Sequence, residues 1–256
     1  LSQNNFEVVT QDLLLEDIDP EAAAVVLFAP SEDLDEAQLD KLDAFLDNDG
    51  QKGKPLLYFA AANQPQLPNL EAFLSEWGIV MEDATVYETN FNRIYNYSPY
   101  YSIVDFVNTE IYEDTSAYLL MPNARVMDTA YTERDSRIVE VLLKFGSTAK
   151  ALPNDAAEDF DIESAETYAF PLQKSSGNAT ATGSALLESH VIVSSSAMSC
   201  ESSLLSGSTF VNGKYYISLL NSLLGRESNF SITAKTLDTT TLTMTNFQIL
   251  SIGAVF

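Results

Sequence analysis

The run AAAVVLFA at residues 22–29, closed by Pro30 and preceded by Asp19-Pro20, sets the expected fold. Small and apolar residues around two adjacent valines suit a strand covered on both faces, as in a parallel sheet. The residues that follow extend this pattern. Asp33, with Glu36 three positions on, matches a capping box, and Leu39, Leu42, Phe45 and Leu46 recur at helical spacing opposite Asp35, Asp40, Lys41 and Asp43. Gly50 and Gly53 mark the exit, and PLLYFAA at residues 55–61 reads as a second buried strand. A loop with two prolines leads to a helix predicted over residues 69–77, with Leu70, Phe73, Leu74 and Trp77 on one face and Gly78 as its stop. Strand, helix, strand, helix with short links is the pattern of α/β units whose right-handed crossovers cover a parallel sheet.

Upstream, residues 6–10 form a short β-like stretch. Downstream, residues 79–88 read as extended. Residues 89–165 are less regular: Tyr95, Tyr97, Tyr100 and Tyr101 stand among polar residues with Arg93 and Pro99, and strands are predicted over 117–121, 125–130 and 137–144. Residues 152–165 read as an exposed acidic loop, and SSGNATATG at 175–183 as a flexible, low-complexity loop. The α/β pattern returns with HVIVSSS at 190–196, a strand ending in small polar residues, and YYISLLNSLL at 215–224, a helix stopped by Gly225. Residues 228–237 and 242–250 alternate like a terminal β-hairpin. There is no fixed repeat and no linker. The expectation is one elaborated α/β domain over residues 1–256: three-layered, mostly parallel, with an irregular insertion at 89–165 and a C-terminal β-hairpin.

Composition narrows the function. The chain has 37 acidic and 13 basic residues, a formal net charge of −24, and 46% hydrophobic residues. It can bury a core, and its field repels nucleic acid and anionic lipid headgroups. The single Cys200 cannot form an intrachain disulfide, and with the single His190 it cannot supply the usual zinc sites. Phosphate-binding glycine motifs and a Gly-x-Ser-x-Gly elbow are absent, and any serine triad would have to use His190. The acidic run Asp155, Glu158, Asp159, Asp161 and Glu163 lacks the order of an EF-hand loop, so no metal and no cofactor is assigned. No apolar stretch reaches the ~18–20 residues of a membrane helix. The chain starts at Leu1 and stops at Phe256 in mid-pattern, without a basic signal-peptide region, and reads as a soluble piece of a longer protein.

Several landmarks occur together in one order. Phe28-Ala29-Pro30 ends the first strand, and Asp33-Leu34-Asp35-Glu36 opens a helix ending in Phe45-Leu46. Pro55-Leu56-Leu57-Tyr58-Phe59 is followed by Leu67-Pro68-Asn69-Leu70, Phe73-Leu74 and Trp77-Gly78-Ile79-Val80. Val141-Leu142-Leu143 precedes Gly146-Ser147-Thr148-Ala149, then comes Tyr168-Ala169-Phe170-Pro171-Leu172, and the strand from His190 to Ser196 precedes Leu219-Leu220-Asn221-Ser222-Leu223-Leu224. Over nearly the whole chain this order resembles the extracytoplasmic domain of the GldG-type family, auxiliary subunits of gliding-motility or uncharacterised ABC transporters. The family's GHGE-like segment is not visible, and its late Gly-Asp-Ser-Asp-like segment is here Ser194-Ser195-Ser196-Ala197, without the acidic residues.

The resemblance implies a fold like class I glutamine amidotransferases, of flavodoxin or Rossmann type. It implies a non-catalytic domain on the extracytoplasmic face of a bacterial membrane, anchored by flanking helices. Its partners would be the ABC permease and ATPase subunits. The related superfold often carries a Cys nucleophile with a His partner. Here six strand residues, about 20 Å, separate the start of the strand at His190 from its end before Cys200. Proton transfer needs ~3 Å contact, so no catalytic residue is assigned. In open α/β sheets ligands bind beyond the carboxyl ends of the strands. Those ends carry Pro30, Ser31, Ala62, Asn63, Ser195 and Ser196, and Arg93, Tyr95 and Tyr97 are the residues expected to cover such a crevice. A small-molecule or glycan-binding module is the alternative, and a hydrolase of the amidotransferase-like superfold the remaining one.

Overall fold

The computed structural model describes residues 1, 4–114, 116–167, 172–182 and 185–226. The elements in chain order are β1 (Val25–Phe28), α1 (Glu36–Asp47), β2 (Pro55–Phe59), α2 (Pro68–Glu76), β3 (Ile79–Glu88), β4 (Ile94–Tyr95), β5 (Ser98–Phe106), β6 (Leu119–Pro122), β7 (Arg125–Thr129), β8 (Glu133–Arg134), β9 (Arg137–Lys144), β10 (Ala149–Pro153), β11 (Leu172–Thr182), β12 (Ala185–Ser194), α3 (Ser202–Ser206) and α4 (Asn212–Leu223). None of the described helices is long and apolar enough to cross a membrane.

Local chemistry explains the first helices. α1 opens with a capping box, but two residues later than the sequence suggests. The Asp35 carboxylate accepts from the Gln38 amide at 2.8 Å, and the Gln38 side chain accepts from the Asp35 amide at 2.9 Å. Asp33 is thereby free to cap a different helix. α2 starts with Pro68 and has no side-chain cap of its own. Asp33 accepts from the backbone amides of Asn69 (2.8 Å) and Leu70 (3.1 Å), supplying two of its orphan donors.

The sheet corrects the expected fold. One nine-stranded sheet runs β1-β2-β12-β11-β9-β5-β4, with β6 against β5 and β8 against β9, and a second sheet runs β10-β3-β7. Among the described residues, β1–β2 and β2–β12 are parallel, and every other strand pair is antiparallel. The fold is mixed α/β with a largely antiparallel body, not the mostly parallel, three-layer, amidotransferase-like architecture that the first 88 residues suggest. The links are the physical reason. A parallel connection needs roughly a dozen residues, whereas β4 and β5 are joined by Asn96 and Tyr97 alone, β8 and β9 by Asp135 and Ser136, and Thr182 of β11 pairs directly with Ala185 of β12. Asn96 (φ 55°) and Tyr97 (φ 57°) have the two positive φ values of a tight hairpin turn.

Four local readings change as well. β1 is a sheet edge covered on one face only: Val25 and Leu27 are half-buried, whereas Val26 (39% exposed) and Phe28 (56%) face outward instead of being covered. Phe28 stacks on Phe59 with centroids 4.7 Å apart. The stretch read as a flexible loop at 175–183 lies, as far as Thr182, inside β11, paired with β12 apart from a register shift between Gly177 and Thr180, and with β9 at Ser175 and Ser176. Residues 6–10 form no strand. The segment 89–165 carries seven strands, β4 to β10. The predicted hairpin at 228–237 and 242–250 lies outside the described residues.

Alternate residues of β2 and β12 feed two cores. Leu56, Tyr58, Val191 and Val193 pack with Leu42, Phe45 and Leu46 of α1, Leu70, Phe73 and Leu74 of α2, and Trp77. Leu57, Phe59 and Ile192 pack with Tyr215, Leu219 and Leu220 of α4 and with β6, β7 and β9. Gly78 makes the turn from α2 into β3 at φ +84°, where an added Cβ would lie 2.6 Å from Val139 Cγ2. Strain and overlap both act against Gly78→Ala, which is expected to lose about 2 kcal/mol or more in urea unfolding. A change under about 0.5 kcal/mol would contradict this packing.

Candidate functional site

Beyond the carboxyl end of β2 the chain turns through Ala61, Ala62, Asn63 and Gln64. These residues form one wall of an open cleft of about 650 Å³, with Thr85 of β3, Tyr100 of β5, Asn123, Asn154 and Met198 opposite. A second recess of about 470 Å³ shares Thr85, Tyr100 and Asn154 and continues past Tyr87 to Glu158 and Phe160. The walls are fixed by internal bonds. Gln64 accepts from the Tyr58 hydroxyl (2.9 Å) and the Ala61 amide (3.1 Å) and donates to the Pro30 carbonyl (2.9 Å). Asn154 donates to Asp83 (2.7 Å) and accepts from the Thr85 hydroxyl (2.8 Å). Burial pushes the Tyr58 phenol up to about 12, against the opposing Gln64 hydrogen bond.

Beneath this rim lies a hydroxyl cluster at the end of β12. Ser194, Ser195, Ser196 and Ser199 are fully buried. The Ser196 hydroxyl donates to the Pro122 carbonyl. The Ser199 hydroxyl donates to the Ser196 carbonyl at 2.6 Å, so the Tyr216 phenol is the donor in its 2.6 Å contact with Ser199. Asn212 at the start of α4 donates to the carbonyls of Leu120 (2.8 Å) and Ser199 (3.0 Å) and accepts from the Leu120 amide (3.1 Å). These bonds tie α4 to β6 and to the turn after β12. Burial holds the Tyr215 and Tyr216 phenols above the ordinary tyrosine value and pushes the Cys200 thiol up to about 12. A thiol so raised stays protonated at neutral pH and is a poor nucleophile. His190 pairs with Pro55 at the start of β2, whereas Ser194 pairs with Phe59 at its end. Four strand residues, about 13 Å, set the imidazole's position apart from the serines.

The residues expected to form a crevice divide into four places. Ala62 and Asn63 line the cleft, and Pro30 joins it through its carbonyl bond to Gln64. Ser31 is exposed beside that wall. Ser195 and Ser196 are enclosed beneath it. Arg93 is elsewhere: its Nη2 pairs with Asp105 at 3.0 Å, and its Nε lies 3.9 Å from Glu88 Oε2. Tyr95 packs edge-on against Phe210 at 4.9 Å, and Tyr97, 82% exposed at the β4–β5 turn, packs on Phe91 at 5.7 Å. Gln64, Thr85, Tyr100, Asn123, Asn154 and Met198 are cleft residues that sequence reasoning does not select. Pro122-Asn123-Ala124, a turn between two predicted strands, is the signal that could have found Asn123. Among the described residues, no group of three or more His, Cys, Asp or Glu side chains is arranged to hold a metal ion.

The fold defines a class before any relative is considered: a mixed-sheet α/β domain with its cleft at the end of a short parallel edge. No family model and no curated protein matches the chain. Among solved structures it is similar to the mmIFT52 N-terminal domain, with a TM-score of 0.61 at 14% identity, covering 90% of this chain and 89% of that one. At that identity the likeness is one of fold. It agrees with the mixed architecture and not with the amidotransferase-like one.

Proposed function

We propose that the chain is a non-catalytic extracytoplasmic domain of an auxiliary subunit of a bacterial ABC-type transport system. It makes contacts with the permease, an envelope component or the transported substrate. One observation carries the non-catalytic part of this reading: Ser195, Ser196 and Ser199 are enclosed, and two of their three hydroxyls are committed to structure. The Ser196 and Ser199 hydroxyls donate to backbone carbonyls, and Cys200 is held protonated. The GldG-type assignment, the membrane attachment and the transporter partners come from the ordered motifs of the sequence. The test is affinity purification of the full-length membrane protein. Co-purification of a permease and an ATPase in fixed ratio is expected, and recovery of neither would overturn the reading.

A second reading, a small-molecule or glycan-binding module, has the open cleft at the end of β2 in its favour. Clefts of several hundred Å³ at strand ends are common ligand sites in α/β domains.

A further inference from the structure

The cleft differs chemically from the rest of the chain. With 37 acidic and 13 basic residues in the sequence, Glu158 is, among the described residues, the one charged side chain lining either recess. A bound cation would want carboxylates and an anion would want Lys or Arg, and neither set converges here. An apolar ligand would bury the amides unpaired, which is costly.

The groups that face the cleft and make no side-chain hydrogen bond with described residues are the Asn63 amide, the Asn123 carbonyl oxygen, and the Tyr87 and Tyr100 hydroxyls. Each amide or phenol can match a hydroxyl, itself both donor and acceptor. The Tyr87 and Tyr100 rings stand perpendicular with centroids 5.5 Å apart, so a ring face is offered beside a polar edge. Asn123 is held at φ +44°, with its amide donating to the Tyr100 carbonyl at 2.8 Å. Asparagine tolerates that left-handed turn, and its side-chain amide donates to Met198 Sδ at 2.9 Å, which holds the side chain in place. The two recesses, of about 470 and 650 Å³, share Thr85, Tyr100 and Asn154 in their walls and so adjoin as one trough.

We propose that this trough binds a neutral oligosaccharide, with Asn63, Asn123 and Tyr100 making its polar contacts and a tyrosine ring stacking on a sugar face. The proposal rests on the second functional reading and is independent of the transporter contacts, which co-purification tests separately.

The experiment is calorimetric titration of the 256-residue chain with cellotetraose, chitotetraose and maltotetraose. At least one is expected to bind saturably, and Asn123→Gly, which suits the positive φ, and Tyr100→Ala should each weaken it about tenfold or more. Tyr100→Phe, which keeps the ring, gives a smaller loss and serves if Tyr100→Ala does not fold. Tyr97→Asn, at an exposed turn outside the trough, should bind as the parent does. Absence of saturable binding to all three sugars overturns the proposal. So does binding undiminished in the folded Asn123→Gly and Tyr100 variants, or binding of a neutral glutamine-rich tetrapeptide in place of the sugars.

Discussion

Raising the pH above about 10 is expected to unfold the domain steeply, with ionisation of the buried Tyr58, Tyr215 and Tyr216 and loss of structure in a single transition. Four acids are buried in the protonated form: Cys200 is raised from 9.0 to about 12, Tyr58 from 10.0 to about 12, and Tyr215 and Tyr216 are raised as well, each by burial first. Below pH 9 both folded and unfolded chains keep these protons, and stability does not depend on them. Above the unfolded values the unfolded chain releases protons that the folded chain retains, so stability falls as pH rises. Each group contributes about 1.4 kcal/mol per pH unit, or about 5 kcal/mol per unit for the four together. Set against a typical total of 5–15 kcal/mol, this places the midpoint near pH 11. Followed together, circular dichroism and the last part of the tyrosinate absorbance, that of Tyr58, Tyr215 and Tyr216, should change in step. Full tyrosine ionisation near pH 10 with the fold intact would contradict the buried cluster.

Arg93→Ala is expected to cost about 3–5 kcal/mol, the second large effect. The Glu88 side chain is completely buried, accepts from the Asn90 amide at 2.8 Å, and faces Arg93 at 3.9 Å. Arg93 also donates to the Ile103 carbonyl at 2.9 Å and pairs with the half-exposed Asp105. Removing the guanidinium strands the Glu88 charge, so Glu88→Gln added to Arg93→Ala should restore part of the loss. Gly146→Ala should act in the same direction, since its Cβ would lie 2.4 Å from Arg93 Nε. Urea unfolding with an unchanged slope is the measurement. A loss under about 1 kcal/mol for Arg93→Ala would mean that the pair is not the anchor of this corner. The sequence places Arg93 among crevice residues because an arginine amid tyrosines suggests recognition. The structure uses it to neutralise a buried acid.

That contrast also marks what was legible. Long periodic segments declared themselves: residues 137–144 are β9, residues 55–61 contain β2, and the leucine and phenylalanine spacing around 70–74 locates α2. Pairing direction did not. An apolar run such as VVLF fits either a covered parallel strand or a half-exposed edge, and periodicity alone cannot separate them. The two-residue links at Asn96-Tyr97 and Asp135-Ser136 held the decisive information, because a gap that short forbids a parallel return. In β11 the polar, small-residue composition hid a strand held by pairing with the adjoining β12 and, at its start, with β9. The cleft was half legible. Ala62 and Asn63 follow from the rule for strand ends, whereas Thr85, Tyr100 and Asn154 come from antiparallel strands and loops that the parallel reading had placed elsewhere.

The end of β12 presents no reactive serine to solvent: its hydroxyls are enclosed, and those of Ser196 and Ser199 brace backbone carbonyls. Treating the native protein with a fluorophosphonate and with iodoacetamide, then mapping the products by peptide mass, tests this directly. No adduct is expected at Ser194, Ser195, Ser196 or Ser199, and Cys200 should be alkylated only once the chain is unfolded in denaturant. Stoichiometric labelling of any of these serines, or rapid alkylation of Cys200 in the folded protein near neutral pH, would contradict it.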